Sequence, residues 1–190
     1  AIRKRLCIIS GGPGTGKTRT VVLLLALLLE QADNAKLRIA LAAPTGKAAA
    51  RLQEAVKNAK DALPCAQEIK DRLPEEASTI HRLLRSVPDS AYFRHDADNP
   101  LPVDVVVIDE ASMVDLALMA KLVAAIPSSA RLILLGDKDQ LASVEAGAVL
   151  ADICNAGGQR AFSSEFGGQF AESTGKKLPP GAGSTGASEL

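Results

Sequence analysis

The run Gly11-Gly-Pro-Gly-Thr-Gly16-Lys17-Thr18 constrains the fold of this 190-residue chain more than any other feature. It matches G-x-x-x-x-G-K-[ST], and its surroundings are those the pattern requires. The apolar run Leu6-Cys7-Ile8-Ile9 precedes it as a buried strand, and a breaker-free, almost wholly apolar stretch from Thr18 to Gln31 follows it as a helix covered on most sides. Glycines at this spacing let the backbone turn so that successive N–H groups point inward around phosphate oxygens. The positive end of the following helix adds to that attraction. On this reading Gly12, Pro13, Gly14, Thr15 and Gly16 wrap the phosphates of ATP, Lys17 bridges the β- and γ-phosphates, and the Thr18 hydroxyl ligates Mg²⁺. The alternative is a glycine-rich turn from strand to helix that holds no ligand.

A loop of this kind belongs in a parallel sheet, and the chain up to Cys154 carries one. Leu37 to Ala43 reads as a strand stopped by Pro44, Lys47 to Lys60 as an amphipathic helix, and Val103 to Ile108 as a β-branched central strand with both faces covered. Leu116 to Ile126 is a helix ended by Pro127, and Arg131 to Leu135 is the next strand. Strands separated by helices of this length imply right-handed crossovers, so the fold class is α/β. The segment 61–102 breaks the rhythm with Pro64, Pro74, Pro88, Pro100 and Pro102, and only Ser78 to Ser86 reads there as helix. An insertion this long in a compact fold is more often functional than idle. We therefore expect one ATP-binding lobe over residues 1–154, with an irregular insertion at about 61–102 and a Gly/Ser/Pro-rich tail over 155–190.

Two further stretches supply chemistry to a phosphate site. Val105-Val-Val-Ile108 runs into Asp109-Glu110, and carboxylates at the end of a buried parallel strand emerge where ligands bind in such sheets. Asp109 suits the metal and Glu110 suits the attacking water; a solvated strand end is the plain alternative. Gly136-Asp-Lys-Asp-Gln140-Leu141 follows the next strand, so Gln140 is a candidate partner of the γ-phosphate or the water, unless it is an ordinary polar turn.

Composition narrows the alternatives. The 22 Lys+Arg against 22 Asp+Glu argue against holding nucleic acid by a broad basic surface, and four Phe, one Tyr and no Trp argue against a base-stacking platform. Cys7, Cys65 and Cys154 are scattered and odd in number, which fits neither a disulfide framework nor a zinc site. The longest apolar run, Val21 to Leu29, falls well short of the roughly 20 residues that span a bilayer. The apolar stretch behind the basic start is broken by Gly11, Gly12, Pro13, Gly14 and Gly16 and no cleavage-like site follows, so we expect a cytoplasmic protein. In the tail, Phe162, Phe166 and Phe170 make a helical stripe that Gly167-Gly168 interrupts, either packed on the domain's edge or open to a partner.

Taken together, GGPGTGKT, Ala43-Pro-Thr-Gly-Lys-Ala-Ala49, Ser78-Thr-Ile-His-Arg-Leu-Leu84, Val107-Ile-Asp-Glu-Ala-Ser112 and Gly136-Asp-Lys-Asp-Gln-Leu-Ala-Ser-Val-Glu-Ala-Gly147 resemble consecutive motifs of superfamily 1 helicases, P-loop NTPases with RecA-like lobes. The resemblance covers about residues 5–154 and is strongest to the RecD family, the alpha subunits of bacterial exodeoxyribonuclease V. It implies an ATP-driven 5′-to-3′ helicase acting on single-stranded and duplex DNA with RecB and RecC as partner subunits. It also implies that Pro44, Thr45, Gly46 and Lys47 (motif Ia), and Ser78, Thr79 and His81 (motif Ib), contact single-stranded DNA. From their positions alone, Thr45 and Thr79 are equally good helix N-caps, and His81 could be an ordinary core or surface histidine. An N-cap amide cluster can also bind a DNA phosphate, so both roles can hold.

The family's motor places ATP between two lobes, and the second lobe supplies an arginine finger and motifs IV, V and VI. None of these is found here, nor is an adenine-contacting glutamine region ahead of the first strand. The expectation is the first motor lobe of a longer protein. Its rivals are a free-standing RecD-like or relaxase-type helicase, and a P-loop switch module, which would have no need of the second carboxylate at Glu110. A small-molecule kinase would need a lid and an Arg-rich acceptor pocket.

Overall fold

The computed structural model describes residues 4–12, 14–32, 36–137, 149–156 and 164–176. Five parallel strands form one sheet in the order β1-β5-β4-β2-β3: β1 (Leu6–Ser10), β2 (Ile39–Ala43), β3 (Ala77–Thr79), β4 (Val105–Ile108) and β5 (Arg131–Gly136). The helices of this part are α1 (Lys17–Gln31), α2 (Gly46–Asp61), α3 (Gln67–Arg72), α4 (Ile80–Leu84) and α5 (Leu116–Ala125). Because every strand runs the same way, all five C-terminal ends meet at one edge of the sheet. The chain divides into two compact units, residues 1–150 and residues 151–190. The parallel sheet flanked by helices is the α/β fold expected from the strand–helix alternation, and it is the P-loop, RecA-like form that the resemblance implies.

β4 lies mid-sheet, and each of its four residues is buried, as its unbroken β-branched run requires. Leu25 and Leu29 of α1, Leu52 and Val56 of α2, Val105 and Val107 of β4, and Ile133 and Leu135 of β5 pack into one core. Burying a leucine of this kind fully is worth about 1.5–3 kcal/mol relative to exposure. At the opposite end of the sheet from the strand C-termini, Arg38 ties β2 to β4. Its backbone N–H, Nε and Nη2 all donate to the Asp104 carboxylate at 2.8, 3.0 and 2.9 Å. The side-chain hydrogen bond from Arg38 holds the Asp104 carboxyl below its ordinary range.

Four expectations change. β1 is not a buried strand: among the described residues it pairs with β5 alone, so Leu6 is 49% exposed and Cys7, Ile8 and Ile9 are half-buried. α1 is less covered than its composition demands, with Leu23 and Leu27 turned outward one turn apart. The segment 61–102 is more regular than its prolines imply. It holds α3 and β3, and Ser78 and Thr79 belong to a strand that pairs with Ala42 and Ala43 rather than to the start of a helix. That segment is anchored to α2 by Lys60, which is only 9% exposed and bonds Glu75 at 2.5 Å. In the second unit, the helix Ser164–Thr174 runs through Gly167 and Gly168 without a break, with the Phe166 and Phe170 rings 6.4 Å apart. Phe162 lies outside the described residues.

Candidate nucleotide site and adjoining nucleic-acid edge

The phosphate loop connects β1 to α1 with glycines where only glycines sit easily. Gly14 and Gly16 have φ of +74° and +84°, and Gly16 is the N-cap of α1. Among the described residues no side chain caps this helix, whereas Thr45, Thr79 and Asp115 cap α2, α4 and α5 through bonds from Ala48, Arg82 and Leu118 N–H. The first amides of α1 are thus left for an anion, which is what a phosphate requires of a helix N-terminus. The loop braces itself as well. Thr15 Oγ1 donates to the Gly12 carbonyl at 2.8 Å, and Lys17 Nζ donates to the Gly11 and Gly12 carbonyls at 2.5 and 3.0 Å. Thr18 sits half-buried in the first turn of α1. Pro13 lies outside the described residues.

β5 and β4 bring their ends to the same place. Gly11 N–H donates to the Gly136 carbonyl at 3.1 Å, which joins the loop to the end of β5. Asp109 follows β4, and burial pushes its carboxyl above the ordinary value against the opposing effects of the Glu110 amide and the Lys17 charge. Glu110 N–H donates to Asp109 Oδ1 at 2.9 Å, and Glu110 itself has φ of +51°, a left-handed conformation rare for a residue with a side chain. Strain of this kind clusters at functional sites. A carboxylate desolvated beside an ammonium, next to the phosphate loop, is a donor set that fits Mg²⁺ with phosphate. Gln140 lies outside the described residues.

The residues of motifs Ia and Ib occupy the other half of the same edge. Pro44 follows β2 directly, and Thr45, Gly46 and Lys47 are exposed at the start of α2. Thr79 ends β3 opposite Ala43, so the two threonine caps stand at the ends of neighbouring strands. The two halves are linked, since Asp109 N–H donates to the Ala42 carbonyl at 2.9 Å. His81 is exposed, the second residue of α4, with its ring edge-on to Phe93 at 5.7 Å. Phe93 also lies 5.5 Å from the Lys121 ammonium. The caps carry a stability prediction. Thr45→Ala is expected to lower unfolding free energy by about 1 kcal/mol and Thr45→Ser by a few tenths at most. Equal losses in thermal melts of the two variants would rule out the cap.

One residue with a place at this site was named in the sequence only as part of a loop. The Asp137 carboxylate comes beside Gly12, with Oδ2 3.8 Å from where a Cβ on that glycine would stand. The Gly-Asp step was its signal, in a loop that the shared edge of strand ends already placed beside the phosphates.

Comparison with known proteins agrees in kind. The family described as "AAA domain" matches residues 1–146. The RecBCD enzyme subunit RecD of Mycolicibacterium smegmatis is 54% identical over 181 residues, covering 92% of this chain and 32% of that protein. The RecBCD enzyme subunit RecD of Mycobacterium tuberculosis strain H37Rv is 56% identical over 157 residues, or 80% of this chain and 27% of that one. The ATP-dependent RecD2 DNA helicase of Deinococcus radiodurans is 41% identical over 152 residues, or 80% of this chain and 18% of its own length. The chain therefore spans about a third or less of the length of these curated relatives. With its phosphate loop, its paired carboxylates and a family match over most of its residues, the chain belongs to the AAA-domain family.

Proposed function

We propose that this chain is the first of two motor lobes of an ATP-driven 5′-to-3′ DNA helicase, the RecD subunit of an exodeoxyribonuclease V-type enzyme with RecB and RecC as its partners in the cytoplasm. The observation that carries the reading is the division of one sheet edge. The phosphate loop, Gly136 and Asp109 stand at the ends of β1, β5 and β4, and the Thr45 and Thr79 caps stand at the ends of β2 and β3. A bond from Asp109 to Ala42 joins the halves, so movement at the nucleotide is transmitted to the strand that carries Thr45. The 54% and 56% identity to the RecBCD subunits of M. smegmatis and M. tuberculosis, against 41% to RecD2, supports the multi-subunit form over the free-standing one.

In this reading the loop amides and Lys17 hold the β- and γ-phosphates, and Thr18 and Asp109 hold Mg²⁺. Mg²⁺ held there would neutralise charge that builds on the phosphates. Glu110 takes the proton of the attacking water, and Gln140 contacts the γ-phosphate or that water. Pro44, Thr45, Gly46, Lys47, Ser78, Thr79 and His81 contact single-stranded DNA, with the cap amides on its phosphates. The charge-stabilising arginine comes from the second lobe. Such a finger is worth about 10³–10⁵ in turnover in GTPases, so this chain alone binds Mg²⁺ and nucleotide but does not unwind DNA. The full-length gene product, given ATP and a duplex with a 5′ single-stranded tail, is expected to separate the strands. Unwinding that needs only a 3′ tail would overturn the polarity. Robust DNA-stimulated turnover by the 190-residue chain would overturn the two-lobe reading.

A further inference from the structure

We infer that the hairpin of residues 85–94 carries a contact for single-stranded DNA separate from the threonine caps, in which Tyr92 stacks on a base and Arg85 and Arg94 hold the phosphates beside it. The inference rests on the reading of the neighbouring sheet edge as a DNA contact and adds a site to it.

The hairpin leaves the end of α4 and folds back on itself. Arg94 N–H donates to the Arg85 carbonyl at 3.0 Å, Ser86 stands opposite Phe93, and Val87 N–H donates to the Tyr92 carbonyl at 3.4 Å. Side chains alternate between the two faces of such a ribbon, so this register puts Phe93 on one face and Arg85, Tyr92 and Arg94 on the other. The exposures agree. Phe93 is half-buried against His81 and the Lys121 ammonium, whereas both arginines are exposed. Tyr92 is 78% exposed, the most of any large hydrophobic side chain among the described residues.

This face is held in place. Lys121 Nζ donates to the Ala91 carbonyl at 2.8 Å, and Ser90 Oγ accepts the Tyr92 N–H at 3.1 Å. Tyrosine has few rotations to lose, and the backbone beneath it is already fixed, so little ordering opposes a stack. Asp89 is the one carboxylate within 85–94, and the nearby Asp96 Oδ1 is taken by the N–H groups of Asp98 and Asn99 at 3.0 and 2.9 Å. The face is therefore net positive around an aromatic ring. That is the chemistry of a single strand, which offers phosphates to guanidiniums and a π-face at every base. α4 is only five residues long, so the hairpin and the Thr79 cap lie within reach of one short strand.

Tyr92 is the one tyrosine of the 190-residue chain, which has no tryptophan, so tyrosine emission reports on this position alone. The test is a titration with oligothymidine of about ten nucleotides, read by that emission and by the anisotropy of an end-labelled copy. The emission is expected to be quenched as the oligonucleotide saturates. Tyr92→Ala is expected to bind about tenfold more weakly, and Tyr92→Phe within about twofold of wild type. Arg85→Gln combined with Arg94→Gln is expected to flatten the slope of log affinity against log salt by about 1.4. All three side chains are exposed, so the variants are expected to melt as the wild type does. Binding that leaves the emission unchanged overturns the inference, and so does wild-type affinity in Tyr92→Ala or an unchanged salt slope in the arginine variant. Failure of the wild-type chain to bind the oligonucleotide at all sinks the single-strand reading itself, and is told apart because it appears without any substitution.

Discussion

Glu110→Gln in the full-length gene product is expected to lower ATP turnover about 10³-fold while leaving Mg²⁺–nucleotide affinity within about threefold. Glutamine keeps the length and the hydrogen-bonding oxygen of glutamate but cannot take a proton from water. The position adds a second, independent readout. Glu110 holds φ of +51° between β4 and the short turn Ala111–Met113, and a single non-glycine residue there costs on the order of 1–3 kcal/mol. Glu110→Gly relieves that strain, so it is expected to melt no lower than Glu110→Gln while turning over no faster. A purely structural glutamate would couple the two readouts. Phosphate release at the wild-type rate in Glu110→Gln would remove Glu110 from the chemistry.

Lys17→Ala is expected to weaken nucleotide binding about 100-fold, the loss of two charge-assisted hydrogen bonds at about 1.5 kcal/mol each. The ammonium has two jobs. It faces the phosphates, and it closes the loop through the Gly11 and Gly12 carbonyls. Both are lost in alanine. The fold is expected to survive, because Lys17 is only half-buried at the first position of α1 and contributes nothing to the core around Leu25 and Leu29. Equilibrium titration with a fluorescent nucleotide, beside a thermal melt, measures both. Affinity within a few-fold of wild type with an unchanged melt would falsify the assignment of the loop.

How much of this was legible in advance depends on how local the physics is. The phosphate loop was legible because free amides, turning glycines and a lysine must follow one another within eight residues. β4 was legible because a continuous β-branched run tolerates water on neither face. β3 was not: Ala77-Ser-Thr79 has no apolar period, and it is a strand because Leu41 to Ala43 offers an open edge beside it. The outward face of α1 was equally hidden, since Leu23 and Leu27 are chemically the same as the buried Leu25 and Leu29.

The chain's residues by themselves determined the fold class and the chemical kinds gathered in it: amides and an ammonium for phosphate, carboxylates at a strand end, threonines able to cap. Those are properties of short segments, set by backbone sterics and side-chain chemistry. Only the tertiary structure decided the strand order β1-β5-β4-β2-β3, and with it which segments meet. Strand order is settled by packing between parts far apart in the chain. It is what puts Asp137 against Gly12, Asp109 against Ala42, and the two threonine caps on neighbouring strands.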